Sequence, residues 1–124
     1  MIRKHLHEIP GVAIEKDGFL NMTARYAITK DDGAPRYALR IMEFGPYGHT
    51  SLHAHGEEHE FYFLDDHAEL LIENGQPVRL RQGDCVYVAP NEAHQLRNVG
   101  AETMRVVCTI PIFAGGDGKS TVTR

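Results

Sequence analysis

The sequence predicts an all-β sandwich or barrel, and three observations carry that reading. No segment of about a dozen residues holds an apolar period near 3.6. Turn signals recur at roughly eight- to twelve-residue intervals, among them Lys16-Asp17-Gly18, Asp31-Asp32-Gly33, Asn74-Gly75 and Gln82-Gly83-Asp84. Between them lie short runs of β-branched and aromatic residues, which suit a pleated, half-buried surface.

A chain of 124 residues is long enough to bury one core without staples, so 1–124 reads as a single domain. Hydrophobic residues at 42% and charged residues at 24% are globular values and argue against disorder. Residues 1–11 form a polar lead closed by Pro10-Gly11 and are expected to be peripheral. His5 and His7 stand two apart there without a third ligand nearby. Residues 12–14 and 22–28 are apolar strand pieces. Residues 36–44 form a β-rich run with Tyr37, Leu39 and Ile41 on one face and Ala38, Arg40, Met42 and Phe44 on the other, each face burying something. Gly45-Pro46-Tyr47-Gly48 is expected to turn the chain. Residues 67–73 make the next strand. Asn74-Gly75 then signals a tight hairpin, because both central residues of a type I′ turn need positive φ. On the return strand Val78 and Leu80 should be dry and Arg79 and Arg81 wet. Residues 104–113 form a last apolar strand, and 114–124, rich in Gly, Ser and Thr, an expected peripheral tail.

The chemistry concentrates in His53-Ala54-His55-Gly56-Glu57-Glu58-His59-Glu60. On an extended backbone His53 and His55 project from the same face and reach one ion. Gly56 permits a turn, with Glu57 and Glu58 in water, and the strand that follows returns a third candidate ligand. A second stretch, residues 83–98, reads as turn, strand, turn and a strand bearing His94. Neutral imidazole is the commonest protein ligand for first-row divalent metals. Periodicity leaves the third ligand open between His59 and Glu60. Residues 59, 61 and 63 share one face and 60, 62 and 64 the other, and Phe61 and Phe63 are no more obviously internal than Tyr62 and Leu64.

These stretches resemble the paired motifs of the cupin superfamily, H-x-H-x(3,4)-[E/H] followed by G-D…P…H-x(3)-N, met here by His53, His55 and His59, then Gly83-Asp84, Pro90, His94 and Asn98. From Gly33-Ala34-Pro35 through Cys108-Thr109-Ile110-Pro111 the chain is most similar to small single-domain bacterial cupins with an all-histidine site. Two turns depart from the pattern, with Leu64-Asp65-Asp66-His67 and Asn91 where glycine is common. Asn and Asp tolerate positive φ better than other residues. The resemblance implies a double-stranded β-helix, or jelly roll, and a homodimer. It implies one divalent ion, Mn or Fe, on His53, His55 and His94, and it favours His59 over Glu60 because Glu58-His59-Glu60 before an aromatic is similar to the four-His subgroup. Zn, Ni or Cu would follow from affinity order in a preparation. Residues 107–111 resemble the closing strand of those proteins, which places Cys108 at the border of the pocket.

The function that follows is a metal-dependent enzyme on a small organic substrate, an oxygenase or oxidative cleaving enzyme, with Phe61 or Phe63 and Cys108 shaping the substrate pocket. The alternatives are a non-catalytic module that binds a small ligand or metal, and a metal-dependent isomerase or decarboxylase, because fold does not fix function. No independent acid or base stands out; Glu57, Glu60 and Tyr47 qualify by proximity alone. A net charge of -4 without a Lys/Arg block argues against nucleic acid and anionic membranes as partners. Cys85 and Cys108 lie in apolar runs and read as reduced, buried thiols. The chain opens on no apolar signal, so the expected location is the cytoplasm.

Overall fold

The protein is described by a computed structural model over residues 1–72, 75–113 and 116–119. Among these, nine strands pair antiparallel throughout: β1 (Gly11–Ala13), β2 (Leu20–Ile28), β3 (Tyr37–His49), β4 (His59–Phe63), β5 (Ala68–Ile72), β6 (Val78–Leu80), β7 (Cys85–Val88), β8 (His94–Asn98) and β9 (Met104–Pro111). The sheet order β6-β5-β8-β3-β9-β4-β7, with β2 also on β3 and β1 on β2, is the curled sheet of a jelly-roll barrel.

β3 makes the curl. Along Tyr37 to Phe44 it pairs with β9, and at His49 it meets Arg97 of β8 instead. A strand changes neighbours this way where its ladder is broken by a bulge. The break falls at residues 45–48, facing Asn21 of β2, where the register jumps from Met22↔Phe44 to Leu20↔His49. Gly45-Pro46-Tyr47-Gly48 is therefore a bulge within one long strand and not the turn expected from its composition. Tyr47 and Asn21 both take positive φ there. Gly48 is required, since a Cβ would stand 2.5 Å from the Asn21 carbonyl oxygen. Asn98 pins the bulge. Its Nδ2 donates to the carbonyls of Phe44, Gly45 and Glu102 at 2.7–3.1 Å, while Oδ1 accepts from Gly100 N and His67 Nδ1.

The core is built on Phe44, Phe63, Met104, Val106 and Ile110, all almost wholly buried. Truncating Phe63 to Ala would cost about 3–5 kcal/mol. Alternation is strict on β4, where His59, Phe61 and Phe63 face in and Glu60 and Tyr62 face out, and on β9, where Met104, Val106, Cys108 and Ile110 face in.

Other expectations need correction. Tyr37 and Leu39 are exposed, so the outer face of β3 buries little there. Val78 is exposed although Leu80 is buried. Cys85 is exposed, because β7 is an edge strand with its outer face open, so only Cys108 is a buried thiol. Asn91 adopts φ 65°, as an asparagine in a glycine's place can, whereas no positive φ occurs at residues 64–67. There Asp65 accepts from Arg105 N and Asp66 from Gln82 N. The Asn74-Gly75 hairpin lies outside the described residues at Asn74. Part of the expected peripheral tail instead folds back: Gly118 is buried, and Lys119 Nζ pairs with Asp31 at 2.7 Å. In the lead, Ile9 is buried while the rest lies open or half-buried.

Candidate metal centre

His53 and His94 face each other across an isolated antiparallel bridge, each N–H donating to the other's carbonyl at 2.9–3.1 Å. Two residues on, the carbonyl of His55 accepts from Asn91 N at 2.8 Å, which ties the two motifs together. One ring nitrogen each from His53, His55 and His94 lie within 4.8 Å of one another.

Each of these rings is anchored on its other nitrogen. His53 Nδ1 stands 2.8 Å from the Ser51 carbonyl, His55 Nδ1 2.7 Å from the Glu57 carbonyl and His94 Nδ1 2.8 Å from the Glu92 carbonyl. A carbonyl only accepts, so each Nδ1 carries the proton and each Nε2 keeps its lone pair. Carbonyl anchoring of this kind fixes both tautomer and orientation in metal-ligating histidines. The residues present therefore fit a metal ion.

His59 differs. Its Nε2 lies 2.8 Å from His55 Nε2, while its Nδ1 faces Cys108 Sγ at 3.3 Å and Arg40 Nη2 at 3.5 Å. With His55 Nε2 an acceptor, His59 Nε2–H donates, and His59 Nδ1 accepts from the thiol or the guanidinium. The same spacing also suits two ligands of one ion, because nitrogens about 2.1 Å from a metal at right angles stand about 3.0 Å apart.

All four imidazoles are held in the neutral form a metal requires. Burial pushes His55 and His94 from 6.5 down to about 4, with His53 among the charged-state neighbours that add to the fall. Burial also lowers His53, and it holds His59 far below the ordinary imidazole range with Arg40 next in effect. Cys108 is raised by its burial, against the pull of Arg40.

The cluster opens on a cavity of about 380 Å³, inside the usual range for small-molecule sites. Phe61 lines it, stacked 5.0 Å from the His59 ring. Phe63 does not; it sits in the core below Phe61. Cys108 lies behind His59, touching its Nδ1 instead of the open space. Glu60 is exposed on the outer face of β4, between Thr109 and Tyr87, and cannot reach the cluster. Glu57 is buried rather than in water, its carbonyl serving His55, and Tyr47 is exposed. Neither lines the cavity. Among the residues that do, and that the sequence left unassigned to the pocket, are Phe19, Tyr26, Lys16, Lys119 and Arg40. For Arg40 a signal existed: it shares the inward register of Ala38, Met42 and Phe44, a cation in an apolar row.

The model of the cupin domain matches residues 40–110, more than half of the chain. The chain belongs to the cupin family. Among solved cupin-like structures it resembles the polyketide cyclase RemF from Streptomyces resistomycificus, at 28% identity and a TM-score of 0.83 over 90% of this chain and 79% of that one. It also superimposes on a predicted oxalate decarboxylase from Thermotoga maritima, with a TM-score of 0.79 and 21% identity over 90% of this chain and 100% of that one, a likeness of fold alone. An uncharacterised protein of Methanocaldococcus jannaschii is 25% identical over 59 residues, 48% of this chain and 47% of its own length. This cupin thus spans about half the length of the curated relative it matches. No helix among the described residues is long and apolar enough to cross a membrane.

Proposed function

We propose that this cupin is a metal-dependent enzyme acting on a small organic substrate, with one divalent ion, manganese or iron, held by His53, His55, His59 and His94. The observation that carries the reading is the set of three carbonyl-anchored imidazoles opening on a cavity of substrate size. A closed structural site would complete its shell with protein ligands and need no cavity. When bound, such an ion supplies Lewis acidity toward a substrate oxygen and, as iron or manganese, one-electron chemistry with dioxygen. The chain's own residues do the rest. Phe19, Phe61 and Leu96 wall off water, and Lys16 stands at the entry near the Phe19 ring. To hold the ion with the other three, His59 would carry its proton on Nδ1, facing Cys108 Sγ, instead of on Nε2.

Oxidative cleavage of an enolisable compound is the reaction favoured by a four-imidazole set without a carboxylate, whose undiminished charge suits an anionic oxygen ligand. A redox-neutral reaction, such as cyclisation, isomerisation or decarboxylation, is the second reading, supported by the 28% identity to a polyketide cyclase. Elemental analysis of protein purified without added metal should give one equivalent of divalent ion per chain. His94→Ala should lose it while keeping the fold, and a full equivalent in that variant would sink the proposal. His59→Ala should lower metal content and Glu60→Gln should leave it unchanged. Oxygen uptake with diketones and flavonols then separates the two reactions: substrate turnover without uptake favours the redox-neutral one.

A further inference from the structure

Arg40 is 6% exposed and lines the same cavity as the four imidazoles. A guanidinium has five N–H donors and stays charged in proteins, so burial normally requires a carboxylate or several carbonyls around it. Here the acceptors are poor. Nη2 meets the Cys108 thiol at 3.2 Å, a weak acceptor. Nη1 reaches the Lys119 carbonyl at 3.4 Å, near the limit of a hydrogen bond. Nε has no acceptor among the described residues. No carboxylate pairs with Arg40 among the described residues, although Glu15 shares the lining.

The surroundings deepen the imbalance. Lys16 also lines the cavity, as does Lys119, whose Nζ is already paired with Asp31, and the imidazoles are neutral bases that would hold a dication. The walls beside them are apolar, built from Phe19, Met42, Phe61 and Leu96. A buried cation without a counter-charge is a cost to folding that a purely structural position would shed by substitution. A ligand that supplies the missing charge removes that cost when it binds, and its oxygens find a planar fork made for two parallel hydrogen bonds.

We propose that Arg40 is the anion-binding residue of this cavity and that the ligand is an apolar, ring-containing molecule bearing a carboxylate or enolate. The proposal rests on the reading of the cavity as a substrate site, and it names the substrate class. Arg40 stands one imidazole's width from the cluster, at 3.5 Å from His59 Nδ1. One anionic group therefore lies at the guanidinium, while a second oxygen of the same molecule faces the Nε2 atoms.

The test uses 2-naphthoate and the uncharged 2-naphthamide as probes, titrated by calorimetry into wild type, R40M and R40Q, each as isolated and after removal of metal by chelation. Wild type should bind naphthoate at least about tenfold more tightly than the amide, with or without metal. Both variants should bring naphthoate down to the level of the amide, with metal content unchanged. R40M should also melt no lower than wild type, since it deletes an unpaired buried charge; R40Q carries the binding test if R40M fails to fold. A preference that survives in R40Q, or that vanishes when metal alone is removed, overturns the role of Arg40. Equal affinity for both probes in wild type, or binding of neither, does the same. Loss of the metal reading is separable: a protein that holds no ion yet keeps an Arg40-dependent preference sinks that reading and leaves this one.

Discussion

Glu43 and Arg40 sit three residues apart on β3, both largely buried, and the protein treats them in opposite ways. An odd separation puts them on opposite faces of the strand. Glu43 lies directly across from Arg105 on β9 and diagonally from Arg25 on β2, and both arginines donate to it, Arg25 Nε at 2.7 Å. Arg25 also donates to the Ile9 carbonyl at 2.6 Å, which fastens the lead segment to the sheet. Arg40, on the inner face, meets a thiol, the His59 ring nitrogen at 3.5 Å and one distant carbonyl. The difference teaches how to sort buried charge. Where both oxygens of a carboxylate meet a cation, the group is part of the scaffold; where donors are left over beside a cavity, the group awaits something from outside.

The two faces should separate by pH, and this is the largest effect expected. For the imidazoles the folded values lie below the unfolded value, so the unfolded chain binds protons first as pH falls. The metal-free protein should lose stability as pH drops from 6.5 toward 4, by up to about 3 kcal/mol for each of His55 and His94, less what solvent in the cavity screens. Glu43 contributes in a lower window. Burial alone would raise its carboxyl, but the hydrogen bonds of Arg105 and Arg25 hold it below 4.5, so its contribution persists above that value and fades only in stronger acid. Denaturant titrations of metal-free protein at successive pH values check both, and stability that is flat from 6.5 to 4 would break the assignment of the inner face.

Next in size, Glu43→Gln should lower stability near neutral pH by about 2 kcal/mol, less than for a fully enclosed pair because Arg105 is partly exposed. It should leave metal content alone. Arg40→Met should change stability little or raise it by about 1 kcal/mol, since removing an unpaired buried charge is neutral to favourable. If the two substitutions cost the same, the contrast between the faces fails. The smallest effect concerns the thiols. Cys85 is exposed and Cys108 shielded behind His59 and Arg40, so a thiol reagent should label one cysteine per native chain and two after denaturation. Two native labels would show that the inner face is open.

Much of this was legible in the chain. Alternation and turn spacing gave the strands, and the imidazole pair His53/His55 with His94 gave the cluster. What escaped was set by neighbours distant in sequence. His59 against Glu60 turned on which face of β4 meets the core, a choice its apolar residues leave balanced. Cys85 looked buried by its run, yet β7 is an edge. The stretch 45–48 has the composition of a turn and becomes a bulge because Asn21 and Asn98 hold it in the sheet. Phe63 belongs with Phe61 by period, but the depth of the cavity, which period does not encode, leaves it in the core.

The anchors of His53, His55 and His94 are carbonyls, and a carbonyl belongs to every amino acid. In each case it comes from a residue two positions away along the same trace. The support that fixes the ring tautomers is thus written mainly in the path of the backbone, with the Ser51 hydroxyl, 3.1 Å from His53 Nδ1, adding to it by identity. Substitutions at Ser51, Glu57 and Glu92 keep the carbonyl that anchors each ring. A mutational scan would then find a tolerant neighbourhood around an intolerant cluster, and the tolerance would be a mark of how the site is held.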